Sequence, residues 1–202
     1  MLHLKINPRR IDPAVLKRAA AVLRRGGVVV FPTETAYGLA VDPSKSAAIA
    51  KIFAIKGRPE TKALPLIAAT PAAVKKAFVI TSAMKKLSAR WPAPLTLVLP
   101  RRRGQRLPAL LGRRNGAVRV STSLWARALA QAGGGLITST SANLSGTPSN
   151  YQAAKIIRDF SHRPIMPDLL LDAGRLKATP PSTIVAWRKG KMTVLRKGPV
   201  KL

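Results

Sequence analysis

The sequence predicts a mixed α/β fold built as one domain. Strand-like and helix-like segments interleave without strict alternation, the last two strands form an antiparallel hairpin, and no internal repeat or composition break marks a second unit. Residues 1–202 are therefore expected to fold as a single domain. With 47% hydrophobic residues, a chain of 202 can bury a core that needs no staples.

The elements follow in order. Asp12-Pro13 suits a helix start, with Asp as N-cap and Pro at the first helical position. Val15, Leu16, Ala19, Val22 and Leu23 then recur at helical spacing until Gly26-Gly27. Residues 28–31 read as a buried strand, 32–35 as a turn and 37–41 as a second extended segment. Ser46 is expected to cap a helix carrying Ile49, Ile52 and Phe53 on one face and ending at Gly57-Arg58-Pro59. Residues 64–68 are strand-like. Thr70-Pro71 and Ser82 look like the starts of two short helices, the second ending at Trp91-Pro92. Segments 95–99 and 117–120 are strands around a loop, 101–116, with six arginines, Pro108 and three glycines, the stretch expected to be most mobile. Helices are expected at 123–132 and about 151–160. Strands are expected at 136–139, 169–171, 183–187 and 192–196, with a hairpin turn at 188–191.

Composition narrows the function. Without cysteine, disulfides and thiolate metal sites are excluded. No apolar run approaches the roughly 20 residues of a membrane span, and the first residues lack a secretory pattern, so a cytoplasmic protein with no membrane partner is expected. Lys and Arg number 36 against seven Asp and Glu, a formal charge of +29, and no carboxylate occurs between Glu60 and Asp159. Self-repulsion on this scale is relieved by a polyanion, which points to a nucleic acid without identifying it, although a basic composition that only adds solubility fits the same numbers.

Three motifs bear on chemistry. Pro32-Thr33-Glu34-Thr35-Ala36-Tyr37-Gly38-Leu39 follows a strand end, where α/β proteins often hold ligands, and it also suits an ordinary turn. Lys56-Gly57-Arg58-Pro59 can clamp phosphate through a point charge and a bidentate fork, or only complement a helix dipole. Residues 139–146, Ser-Thr-Ser-Ala-Asn-Leu-Ser-Gly, offer hydroxyls, an amide and backbone N–H groups to phosphate, or bond among themselves. A P-loop and a dinucleotide fingerprint are missing, and His3 and His162 lie far from every motif. If the chain is an enzyme, catalysis rests on positioning and cationic stabilisation of phosphate charge.

Taken in order, GGVVVFPTETAYGL, the K-x-R of KGRP, WPAPLTLVLP, AVRV, STSANLSGTPSN, PSTIV and VLRKG resemble the YrdC-like family of threonylcarbamoyl-AMP synthases, from about Leu16 to Gly198. The resemblance implies a twisted mixed sheet with flanking helices and a basic concave surface. It implies an enzyme that joins L-threonine, bicarbonate and ATP into threonylcarbamoyl-AMP and pyrophosphate, with Mg²⁺ carried on ATP and no metal held by protein side chains. The product serves modification of the tRNA adenosine next to the anticodon, through tRNA threonylcarbamoyl-transfer proteins. By position, Lys56, Arg58, Ser141, Asn143, Ser149 and Arg196 match ATP contacts, the first two being catalytic. Thr33, Arg119 and Ser182 match threonine contacts, and Tyr37, Thr96 and Ser139 are expected to line the same pocket. Two departures stand out: WPAP in place of the commoner WPGP, and Ser121-Thr122-Ser123-Leu124-Trp125 after AVRV where many members turn at a Pro. The short chain, with Ala68-Ala69 after the K-x-R segment, resembles the single-domain branch. Two other readings share the fold: an RNA-binding module without nucleotide chemistry, and a paralogue that acts on threonylcarbamoyl-AMP.

Overall fold

A computed structural model describes residues 1–105, 107–188 and 190–202. Two mixed sheets form its frame. The five-stranded sheet contains β1 (Leu2–Lys5), β2 (Val29–Pro32), β3 (Tyr37–Ala40), β8 (Thr140–Ser141) and β9 (Leu169–Asp172), in the order β1-β9-β2-β3-β8. The six-stranded sheet contains β4 (Leu66–Ala68), β5 (Leu95–Pro100), β6 (Asn115–Val120), β7 (Leu136–Thr138), β10 (Thr183–Arg188) and β11 (Lys191–Arg196), in the order β11-β10-β5-β6-β4-β7. The sequence reading has one mixed sheet; the structure has two, and the chain steps from one to the other at Ser139, between β7 and β8.

Helices α1 (Pro13–Arg24), α2 (Ser46–Lys56), α3 (Pro71–Ala77), α4 (Ser82–Ser88), α5 (Leu124–Ala132) and α6 (Ala153–Phe160) pack around this frame. The Asp12 carboxylate accepts from the N–H groups of Ala14 and Val15, and Thr70 caps α3 through Ala73 N–H. Ser46 does not cap α2: the N-cap is Lys45, and Ser46 is the first helical residue. Asp42 accepts from the backbone and hydroxyl of Ser44, closing the turn that leads in. Helix α4 stops at Ser88, short of Trp91-Pro92.

The period-two register of the strands explains the burial. Val28 and Val30 face one apolar cluster with Leu39, Ile52, Leu97 and Val118, which fills the space between the sheets. Val29 and Phe31 face a second cluster with Leu23, Trp125, Leu129 and Leu171, under α1 and α5. A strand covered on both faces carries no polar alternation, which is why β2 reads as a continuous apolar run. In the six-stranded sheet the pattern differs. Leu95, Leu97, Leu99, Val118 and Val120 enter the core, while Thr96, Ala117 and Arg119 face the other way. That outward face becomes one wall of the site.

The basic loop is anchored at its described positions. Arg101 donates to the carbonyls of Leu107 and Pro108 at 2.6 and 2.8 Å, and Arg102 N–H donates to Ala77 O at 3.0 Å. Arg106 and Lys189 lie outside the described residues. Among the described residues, no helix is long and apolar enough to cross a membrane.

Candidate nucleotide and amino-acid site

A cavity of about 280 Å³ opens where the two sheets part. Thr96, Ala117, Arg119, Ile184 and Arg196 supply the six-stranded sheet's wall; the turn after β2, with Gly38, and the segment Ser139–Ser141 close the opposite side. Of the twelve residues singled out in the sequence, nine line this cavity: Thr33, Arg58, Thr96, Arg119, Ser139, Ser141, Ser149, Ser182 and Arg196. Lys56, Asn143 and Tyr37 sit behind its walls.

Thr33 shapes the turn it belongs to. Its hydroxyl accepts from Thr35 N–H and Ala36 N–H, both at 3.1 Å, and donates to Ala36 O at 2.6 Å. One donor and two lone pairs are thereby occupied. Opposite, Thr96 and Ser182 share a hydroxyl hydrogen bond of 2.8 Å, and Arg196 donates to Ser182 O and Oγ at 2.9 and 3.0 Å. The parallel pairing of β5 and β10, with Ile184 opposite Thr96, brings these groups together.

Three guanidiniums give the cavity its sign. Arg58 follows Gly57, whose φ of 58° ends α2 in the left-handed conformation that glycine adopts without strain. Its donors reach Lys62 O and Ala63 O only at 3.3 and 3.4 Å, which leaves them available to a better acceptor. Burial holds the Arg58 pKa below its ordinary value. Arg196 is lowered by burial first and by the neighbouring Arg119 charge second. Both remain cations at neutral pH, so what they report is a partly dry site with excess positive charge.

Lys56 turns away from the cavity. Its buried Nζ donates to the carbonyls of Ser141 and Asn143, the latter at 2.6 Å, and to Asn143 Oδ1 at 3.2 Å. Asn143 Nδ2 in turn donates to Leu144 O and Thr147 O. With Ser145 N–H on Lys56 O, the two residues tie the end of α2 to the Ser-x-Asn loop from beneath. Burial, and then the Arg58 charge, lower the Lys56 pKa from 10.5 to about 7. Tyr37, expected to line the pocket, is fully buried instead. Its hydroxyl donates to Gly174 O and accepts from Ala173 N–H, and burial raises its pKa well above the ordinary value.

A model of the Sua5, YciO and YrdC proteins, described as "Telomere recombination", matches residues 21–198. The chain belongs to this Sua5/YciO/YrdC family. Among its relatives, the threonylcarbamoyl-AMP synthase of Halorhodospira halophila is 41% identical over 160 residues, covering 77% of this chain and 83% of that one. The synthase of Nitrosococcus oceani is 37% identical over 148 residues, covering 72% and 80%. Among solved structures, P. abyssi Sua5 complexed with L-threonine superposes with a TM-score of 0.86 at 30% identity. That match covers 98% of this chain and 57% of the Sua5 chain, so this chain spans little over half of that protein. E. coli YciO, at 24% identity and a TM-score of 0.86, shares the fold over 98% of this chain and 96% of its own.

Beside this cavity, one charged residue stands outside the twelve singled out in the sequence. Glu34, in the turn after β2, lies 3.1 Å from Arg119 Nε through Oε1 and accepts from Ser121 Oγ through Oε2. The available signal was scarcity: an acid inside a motif stands out in a chain with seven. The departure after AVRV also finds its place, because Ser123 Oγ donates to Pro32 O at 2.9 Å and ties that segment to the same turn.

Proposed function

We propose that this chain is a nucleotidyltransferase, an L-threonylcarbamoyladenylate synthase, acting on L-threonine, bicarbonate and ATP. The observation that carries this is one cavity that joins three guanidiniums to a hydroxyl-rich rim, in a family whose named relatives are threonylcarbamoyl-AMP synthases. The threonine amine and bicarbonate condense, with loss of water, to a carbamate. A carbamate oxygen then bonds to the α-phosphorus while the bond from that phosphorus to the pyrophosphate oxygen breaks. The nucleophile is already an anion, so no strong general base is required, in keeping with a cavity whose described lining holds no histidine.

Negative charge grows on the α-phosphoryl oxygens and on the departing pyrophosphate, and preorganised cations stabilise it. Arg58 and Arg196 suit that task, with Ser141 and Ser149 as further contacts to ATP. Lys56 and Asn143 act one step back, by holding the Ser-x-Asn loop in place. Arg119 and Ser182, beside the turn shaped by Thr33, suit the carboxylate and hydroxyl of threonine. Thr96 and Ser139 complete the wall. Mg²⁺ is part of the proposal as a passenger on ATP, where it shields phosphate charge. Among the described residues no group of His, Asp and Glu can hold a metal, and hydroxyls and guanidiniums suit phosphate oxygens better than a bare cation.

Purified protein with threonine, bicarbonate and Mg-ATP is expected to release pyrophosphate only when threonine is present, with threonylcarbamoyl-AMP found by mass spectrometry. Arg58→Ala should lower kcat/KM on the order of 10²-fold, the usual loss for one charge-stabilising donor. Pyrophosphate that ignores threonine argues against the synthase, whereas an unchanged Arg58→Ala rate removes Arg58 from the phosphate clamp and leaves the synthase standing. The surplus charge supports a further part of the reading: RNA, tRNA first, approaches this chain, which works in the cytoplasm alongside transfer proteins that receive the product.

A further inference from the structure

Glu34 is the one acid among the described residues that touches a guanidinium of the cavity. Its carboxylate is nearly buried, with 12% of the side chain exposed, and the Arg119 side chain is 7% exposed. Oε1 meets Arg119 Nε at 3.1 Å, outside linear hydrogen-bond geometry, so the contact is one of charge. Oε2 accepts from Ser121 Oγ, and Ser121 Oγ also accepts from Ser123 N–H at 3.1 Å. Arg127 grips the same segment, donating to Ser121 O at 2.9 Å. A buried carboxylate with both oxygens engaged has little rotational freedom.

This arrangement solves a specific problem. Arg119 and Arg196 stand close enough for one charge to act on the other. Two guanidiniums in a partly dry cavity repel, and without a counter-charge the more flexible one withdraws. Glu34 engages Arg119 on the Nε side. The terminal amino groups, which make no hydrogen bond to any described residue, remain to face a ligand. A planar fork with two free N–H donors is the arrangement that grips a carboxylate bidentately.

We propose that Glu34 is a positioning residue, which Ser121 locks against Arg119 so that the guanidinium presents its two terminal amino groups to the carboxylate of threonine. The proposal rests on the synthase reading of this cavity and deepens it by assigning how one substrate's carboxylate is selected.

The test is calorimetric binding of L-threonine, of L-threonine amide and of ATP to the wild type and to Glu34→Gln, Glu34→Ala and Ser121→Ala. Glu34→Gln keeps the shape and removes the charge. It should weaken threonine on the order of tenfold, the scale of one charge-assisted contact, and leave ATP within about twofold. Glu34→Ala should lose more, and Ser121→Ala less. Threonine amide has no carboxylate, so its weak binding should barely change, and the preference for threonine over its amide should collapse in the Glu34 variants. Unchanged threonine affinity in Glu34→Gln overturns the proposal and leaves the synthase reading standing. So does an equal loss of threonine and ATP together with a lowered melting temperature, which marks a structural role only. A wild-type protein that binds no threonine sinks the synthase reading itself.

Discussion

Lys56 places an ammonium where three oxygens of the Ser141–Asn143 segment converge, with two opposing consequences. Three acceptors are met in full only by the charged form, which has three donors. Burial works against that charge and brings the pKa from 10.5 to about 7. Between those values the unfolded chain holds a proton that the folded chain has released. The cost to stability is therefore complete below pH 7 and fades as pH rises toward 10.5. ATP brings negative charge to the loop above and favours the ammonium. ATP binding at pH 7.5 is thus expected to take up part of a proton, and ATP affinity to weaken as pH climbs past 7. Calorimetry in two buffers of different ionisation enthalpy measures the uptake. Lys56→Met should lose it and bind ATP more weakly; equal uptake in both proteins rules out Lys56 as the source.

At the scale of elements, the site depends on how closely backbone segments approach. Gly198 packs on the strand start that carries Ser182: a Cβ there would lie 2.2 Å from Pro181 O and 2.4 Å from Thr183 N. Gly198→Ala must push residues 181–183 away, and overpacking of this kind costs about 1–3 kcal/mol. In a chain this size that lowers Tm by roughly 2–12 °C. Because Ser182 is assigned to threonine and anchors Arg196 on the ATP side, affinity for both ligands should fall as well. Asp12→Ala, which removes the α1 cap for about 1 kcal/mol, should lower Tm with no change in ligand affinity. A Gly198→Ala protein that loses Tm and keeps its affinity refutes the coupling. The same scale explains what was legible in the sequence. The Asp12-Pro13 cap, the buried run of β2 and the terminal hairpin are local signals, and they describe their elements correctly. Strand β1 escaped because Leu2–Lys5 is an edge, mostly exposed, and its order comes from parallel pairing with β9 and contacts distant in sequence. Strand β8, two residues long, exists because β3 lies beside it. Nine cavity residues were readable from motif order. The inward turn of Lys56 and Asn143, the burial of Tyr37 and the clamp at Glu34 depend on tertiary partners 85, 87, 137 and 87 positions away, respectively, which no local pattern encodes.

For the whole molecule, the few acids explain what the many bases are free to do. Asp12 caps α1, Glu34 holds Arg119, and Asp42 closes a turn. Asp159 pairs with Lys155 and Asn150, Asp168 receives Val28 N–H, and Asp172 receives Gly174 N–H and meets His3. Almost every carboxylate is thus occupied in holding local structure. Among the described residues, Arg119 and Lys155 are the lysines and arginines with an acid inside 4.0 Å. A formal +29 therefore has little internal compensation among the described residues, and two partners can answer it. Small ions screen the repulsion without saturating, so added salt should raise Tm even if the charge does nothing else. A polyanion does more, because each neutralised phosphate releases counterions. If about six phosphates are engaged, affinity should fall on the order of 10³-fold between 50 and 200 mM salt. Fluorescence anisotropy of labelled tRNA across that range measures the slope. A steep linear decline in log K supports direct RNA contact. Salt-raised stability with no saturable binding at 50 mM means that the charge serves solubility, and that tRNA meets only the proteins that receive the adenylate.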